Sequence, residues 1–256
     1  MPDALQVKRA TFRALHQQGC FVLPNPWDVG SIRRLERFGF KALASTSAGA
    51  AWALGRSDGE LSLNEVLEHL RFLCAATDLP VNADFEAGFT DEPEGVAANV
   101  ALALDTGVAG FSIEDRTGRT LYELNHAVDR IKAAREAIAR SGHDVVLVGR
   151  SEGYLIGQTE LSPTIDRLVA YADAGADCLY APGITDFSAI RTLVSAVAPK
   201  PVNVLLIGPD MQVADLAEAG VRRVSVGGTL AALAWAAFDR AVRLLVEEGT
   251  LPKRPG

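Results

Sequence analysis

Short apolar runs recur along the whole chain, at 20–23, 42–45, 80–83, 110–113, 145–149, 178–180, 202–205 and 223–226, and longer stretches with helical spacing of apolar residues separate them. A short run that is apolar throughout suits a strand buried on both faces, and strands alternating with helices demand a parallel sheet. About eight strand–helix units is the number that closes a (β/α)8 TIM-type barrel. A doubly wound sheet is the competing α/β fold, but Pro24-Asn25-Pro26-Trp27-Asp28 follows the first run, where that fold's G-x-G-x-x-G turn belongs.

Helix punctuation agrees with the repeat. Thr90-Asp91-Glu92-Pro93-Glu94 places acids and a proline ahead of the apolar stretch 96–104, as a helix N-terminus favours, and Leu161-Ser162-Pro163-Thr164 opens another helix. Gly39, Gly107, Gly175 and Gly220 each stand where a helix turns back to a strand. Segment 4–18 reads as an extra N-terminal helix, expected to cap the lower mouth of the barrel. One domain is expected over 1–250, with 251–256 a disordered tail.

With 256 residues, 48% of them hydrophobic and 22% charged, the chain can bury a large core. A net charge of -7 and the lack of any Lys/Arg run exclude a phosphate-tracking nucleic-acid binder, so small molecules are the expected partners. The first residues carry no apolar signal core and no run is long enough to span a bilayer, from which a cytoplasmic protein with no membrane partner is expected. Cys20, Cys74 and Cys178 stand far apart and read as buried thiols rather than a disulfide framework or zinc knuckle.

Chemistry gathers where the runs stop. Asn82, Asp84 and Glu86 alternate at the end of the third run, so in a continuing strand they would share a face. The fourth run ends in Glu114-Asp115 and the fifth in Gly149-Arg150-Ser151-Glu152. Active sites of such barrels lie at these C-terminal strand ends, which places Asp84, Glu114 and Arg150 across roughly 10 Å of one rim. Crowded carboxylates call for a cation, and none of the four histidines or three cysteines occupies an expected strand end. Oxygen-only ligation points to Mg²⁺, with Mn²⁺ as the alternative. Asp84 is the expected direct ligand, with Glu114 and Glu86 acting through water. Arg150 is read as a substrate anchor, with a buried salt bridge to Glu114 or Glu152 as the structural alternative. Ser45-Thr46-Ser47-Ala48-Gly49-Ala50 offers hydroxyls and an amide nest for a carboxylate, and Asp58 sits on a loop able to return to the metal or to a substrate hydroxyl.

Taken in order, Ser47-Ala48-Gly49, Asp58, Asn82-Ala83-Asp84, Ile113-Glu114-Asp115, Gly149-Arg150-Ser151-Glu152, Ala174-Gly175-Ala176-Asp177 and Pro201-Val202-Asn203 resemble the isocitrate lyase/phosphoenolpyruvate mutase superfamily over nearly the whole chain. The resemblance implies Mg²⁺ at Asp84 with Asn82 and Glu114 nearby. It further implies an α-keto acid held by Ser47, the Ala48 and Gly49 amides and Arg150, with Asn203 closing the far side. It also implies a homodimer or homotetramer whose last helix, about 230–247, swaps between subunits; an ordinary buried helix is the alternative. The family's first aspartate is Asn82 here, and its proton-handling K-K-C-G-H loop is replaced by Arg116-Thr117-Gly118-Arg119-Thr120-Leu121-Tyr122, which argues against isocitrate or methylisocitrate cleavage. Decarboxylation of oxaloacetate needs only an electron sink and a late proton, for which Tyr122 or Tyr154 is the expected donor. A C–P bond enzyme, a non-catalytic keto-acid-binding homologue and a phosphosugar enzyme using Gly227-Gly228 are the alternatives.

Overall fold

The computed structural model describes residues 3–253. Among them eight strands run parallel in one sheet: β1 (Phe21–Leu23), β2 (Leu43–Ala44), β3 (Val81–Asp84), β4 (Gly110–Glu114), β7 (Val146–Arg150), β8 (Cys178–Tyr180), β9 (Val202–Leu205) and β10 (Arg223–Ser225). Between β4 and β7 the chain inserts a small antiparallel hairpin, β5 (Arg116–Thr117) and β6 (Thr120–Leu121). Strand neighbours run β1-β10-β9-β8-β7-β4-β3-β2, and the seam between β2 and β1 is bridged by the Ala44 N–H donating to the Pro24 carbonyl at 3.0 Å. The sheet is thus the nearly closed (β/α)8 barrel that the eight runs demand.

Helices α2 (Val29–Arg37), α3 (Ser47–Ala53), α4 (Leu63–Ala75), α5 (Pro93–Leu104), α6 (Leu124–Ser141), α7 (Leu161–Asp173), α8 (Phe187–Ala196), α9 (Val213–Glu218) and α10 (Thr229–Glu248) follow the strands. Their ends obey local rules: Ser62 and Glu65 cap α4 reciprocally, Pro93 opens α5, and Gly142 ends α6 in the left-handed region at φ 69°. Strand residues alternate between two environments. Ala83, Phe111, Ile113, Leu147, Leu179, Val204 and Val224 pack in the larger cluster with the helices, whereas Leu23, Ala44, Val146, Val148, Cys178 and Tyr180 form a second cluster inside the barrel.

Helix α1 (Ala4–Leu15) closes the lower end, as expected. Its Phe12 is fully buried in the inner cluster, so close beneath Gly110 that a Cβ there would lie 2.7 Å from the ring. Arg13 holds the helix in place by reaching Asp177 at 3.2 Å, and the other Asp177 oxygen accepts the Leu147 N–H at 2.8 Å. At the opposite end of the chain, α10 buries a single residue, Ala231, along its twenty positions. It exposes Leu233, Trp235, Phe238, Val242, Leu245 and Val246 instead, which overturns the ordinary buried helix. The expected tail 251–256 lies partly outside the described residues.

Candidate active site

A single row of paired residues crosses five strands. Glu114 stands opposite Arg150, Arg150 opposite Tyr180, Tyr180 opposite Asn203, and Asn203 opposite Arg223. Residues in register in a parallel sheet project to the same side, so the pairing sets these five polar side chains on one face. Of the five, Arg150, Tyr180 and Arg223 line a cavity of about 150 Å³, shared with Asn82, Asp84, Ser112, Ser225, Ser47, Ala48 and Asp58.

Arg150 is the hub. Its Nη1 lies 3.0 Å from Asp84 Oδ1, its Nη2 lies 3.4 Å from Glu114 Oε2, and its Nε donates to Glu152 Oε1. The Arg150 charge also sits 5.3 Å from the centre of the Tyr180 ring. From the hairpin, Arg116 reaches Glu114 at 3.2 Å and Glu152 at 3.1 Å. Asp115 faces away from this cluster and fixes the strand end, accepting the Glu152 N–H at 2.8 Å and the Tyr171 hydroxyl at 2.6 Å. Both readings of Arg150 from the sequence therefore meet in one residue: it is salt-bridged, and it faces the cavity.

Three carboxylates, Asp84, Glu114 and Glu152, share two guanidiniums. The resulting surplus of negative charge marks the neighbouring acids. Burial, with Glu152 and Asp84 adding to it and Arg150 opposing, holds the Glu114 carboxyl well above the ordinary range. Burial also raises Glu86 to about 7, helped by Asp84 and Asp58, and one buried oxygen of Glu86 has no hydrogen-bond partner. Among the described residues no three acidic, histidine or cysteine side chains converge into a ready-made metal cluster. The donors nevertheless fit a hydrated Mg²⁺, which keeps several waters: they are all oxygen, carry surplus charge, and include an unpartnered buried carboxylate oxygen.

Asn82 and Asp84 share the cavity wall, but Glu86 does not join them. The strand stops at Asp84 and Glu86 adopts φ 47°, a left-handed turn conformation that breaks the alternation. Glu86 turns instead into an adjoining cleft of about 340 Å³ with Glu114, Arg116 and Tyr122, and Asp58 borders both spaces. Asn82 accepts a hydrogen bond from Arg223 at 3.2 Å. Ser47 donates its amide to Asp84 Oδ2 at 3.0 Å, fixing that carboxylate from the side opposite Arg150.

Two of the expected substrate contacts are otherwise engaged. The Gly49 amide donates to the Thr46 side chain that caps α3, and Gly49 is wedged against Trp27, leaving Ser47 and Ala48 on the cavity. Asn203 lies behind the wall, accepting from Arg223 Nε at 2.9 Å and donating to Ser225 Oγ at 3.0 Å. The expected proton donors are displaced as well: Tyr122 donates to Asp91 in the adjoining cleft, and Tyr154 packs against Gly183. The Gly227 and Val226 amides donate to Asn25, at 2.9 and 3.0 Å, so two of the amides in the glycine turn are engaged within the protein. The sequence alone assigns no role to Tyr180 or Arg223, although a Tyr closing the sixth apolar run and an Arg opening the last are the signals that mark them, and Arg116 stands out there only as the start of the replaced loop.

The family model for phosphoenolpyruvate phosphomutase matches residues 12–246. A crystal structure from Burkholderia cenocepacia, described provisionally as a lyase/mutase, superposes with TM-score 0.95 at 46% identity, covering 97% of this chain and 92% of that one. The structure of 2,3-dimethylmalate lyase, a member of the PEP mutase/isocitrate lyase superfamily, superposes with TM-score 0.87 at 28% identity, covering 99% and 91%. The oxaloacetate decarboxylase of Rhodopseudomonas palustris is 30% identical over 266 residues, which span 96% of this chain and 87% of that protein. Matched by that family model over most of its length and superposing on these barrels, the chain belongs to the phosphoenolpyruvate phosphomutase family of the isocitrate lyase/phosphoenolpyruvate mutase superfamily.

Proposed function

We propose that this protein is a Mg²⁺-dependent carbon–carbon lyase acting on a small α-keto dicarboxylic acid, with oxaloacetate decarboxylation as the specific reaction. The observation that carries the reading is Arg150, charged and flanked by Asp84 and Glu114 at the wall of a cavity of about 150 Å³. At roughly 30 Å³ per water, that space holds about five waters, the scale of a small metabolite. Asp84, fixed by Ser47 and Arg150, is the nearest candidate ligand on the cavity side, with Glu114, Glu86 and Asp58 placed for water-mediated contacts, whereas the Asn82 oxygen is taken by Arg223. When bound, Mg²⁺ supplies a Lewis-acid charge that polarises the keto group.

Arg150 binds the carboxylate next to the keto group and stabilises the negative charge that develops as the bond to the distal carboxylate breaks. That carboxylate leaves as CO₂, and its bonding electron pair passes into the enolate of pyruvate. Tyr180 then gives its proton to the terminal carbon. Burial raises the Tyr180 hydroxyl to about 12, so it carries a proton throughout the working range. The hairpin over Arg116–Leu121 contains no Cys or His, which favours decarboxylation over cleavages that need a dedicated acid–base pair.

The exposed apolar stripe of α10 is read as the surface on which a second copy packs, making the protein a homo-oligomer. Among the described residues no helix is long and apolar enough to cross a membrane.

The deciding experiment measures pyruvate release from oxaloacetate and from phosphonopyruvate, with Mg²⁺ or with EDTA, for the native chain, Asp84→Ala and Arg150→Ala. Mg²⁺-dependent release from oxaloacetate that both substitutions abolish is expected. Release from phosphonopyruvate alone would move the reaction to C–P chemistry, and no metal-dependent turnover of either would leave a binding protein.

A further inference from the structure

Arg223 is buried, 2% exposed, and opens β10 on the inner face of the barrel. Its hydrogen bonds go to neutral groups: Nε to Asn203 Oδ1 at 2.9 Å and Nη1 to Asn82 Oδ1 at 3.2 Å. His16, 3.5 Å away, is held neutral at physiological pH, burial lowering its pKa to about 3. Cys178 and Tyr180, the other titratable neighbours, both have pKa values raised by burial and remain uncharged. Among the described residues no carboxylate pairs with this guanidinium, and its remaining nitrogen, Nη2, meets no acceptor. Arg223 nevertheless lines the cavity.

Among the described residues two other buried arginines, Arg9 and Arg130, likewise lack a carboxylate partner and each leaves one nitrogen without a hydrogen bond, but neither lines the cavity. Arg9 spends its charge on the Leu104 and Val108 carbonyls, and Arg130 on those of Ala87, Thr90 and Asp91, all backbone acceptors of turns and helix ends. Arg223 is held rigidly by two carboxamides whose own partners are fixed, while its charge is left without a counter-ion beside an open space. A buried cation in that state is costly unless an anion completes it. The row of paired strand residues places it three strand steps from Arg150, with Tyr180 and Asn203 between them.

We propose that Arg223 binds the second carboxylate of the substrate, so that this site selects a dianionic keto acid over its monoanionic analogue. The assignment rests on the keto-dicarboxylate reading above and names the residue that sets its charge specificity. Arg150 takes the carboxylate beside the keto group and Arg223 the distal one, with Tyr180 between the two.

The test uses two unreactive ligands of matched shape, racemic malate and racemic 2-hydroxybutyrate, in which a methyl replaces the distal carboxylate. Binding is measured by calorimetry on the full chain with Mg²⁺, for the native protein, Arg223→Gln and Arg223→Lys. The native protein is expected to prefer malate by roughly 10- to 100-fold, the size of one charge-assisted contact. Arg223→Gln should remove that preference while changing 2-hydroxybutyrate binding less than about twofold, and Arg223→Lys should retain part of it. A native protein that does not discriminate, or substitutions that weaken both ligands equally, would overturn the assignment. Should Arg223→Gln fail to fold, the native preference and its partial retention in Arg223→Lys decide the question. Because no turnover is read, a dianion preference dependent on Arg223 alongside absent pyruvate release would sink only the decarboxylase reading.

Discussion

Asp84 Oδ1 lies 3.0 Å from Arg150 Nη1 while its other oxygen accepts the Ser47 amide at 3.0 Å. The carboxylate is therefore locked between a strand end and a helix start. Removing the arginine leaves Asp84, Glu114 and Glu152 facing Arg116 alone. Arg150→Met should abolish activity and lower stability in urea by about 3–5 kcal/mol, the usual result of stripping one partner from a buried ion cluster. Arg150→Met with Glu114→Gln should recover part of that stability without recovering activity.

Glu86 predicts a pH dependence. Its folded pKa of about 7 lies above the ordinary 4.5, so the fold binds its proton more tightly than the unfolded chain does. Stability from this group is fully present below about 4.5 and is lost as pH rises to about 7. In EDTA, Glu86→Gln should match the native Tm near pH 4 and exceed it by roughly 3–6 °C at pH 8. Millimolar Mg²⁺ at pH 8 should raise the native Tm and narrow the gap, by preferential binding to the folded state. A gap of the same size at both pH values would count against this account.

Tyr180→Phe removes the hydroxyl assigned to protonating the enolate and keeps the ring beside Arg150. A fall in kcat of about 10²-fold with KM nearly unchanged is expected, within the usual range for a general acid. Tyr122→Phe, which breaks only the bond to Asp91, should leave kcat within about twofold. Steady-state assays of pyruvate release distinguish the two.

Phe238 and Leu245 lie on the exposed stripe of α10, where the Trp235 and Phe238 rings meet edge to face at 6.0 Å. Phe238→Glu with Leu245→Glu should shift the protein to a smaller species in light scattering at micromolar concentration. The barrel should remain folded by circular dichroism, since neither side chain belongs to its core.

Much of this could be read along the chain because it is local. Asp84, Glu114 and Arg150 announce themselves as charges that end apolar runs, and Gly175 marks its turn at φ 103°. Glu86 was placed with Asp84 on the assumption that the strand continued; one left-handed residue was enough to redirect it. The resemblance implies Asn203 on the far side of the substrate, and only the packed barrel shows it engaged by Arg223. Tyr180 and Arg223 join the row of Arg150 through strand pairing, which depends on which residues face one another across three strand boundaries and leaves no trace in any single segment.

Phe12, seated beneath Gly110, closes the lower end of the barrel, and Asp58 stands on the wall that the cavity shares with the adjoining cleft. Under the proposed decarboxylation, CO₂ and pyruvate clear that side before another molecule enters, which ties turnover to traffic past Asp58 as closely as to the bond that breaks.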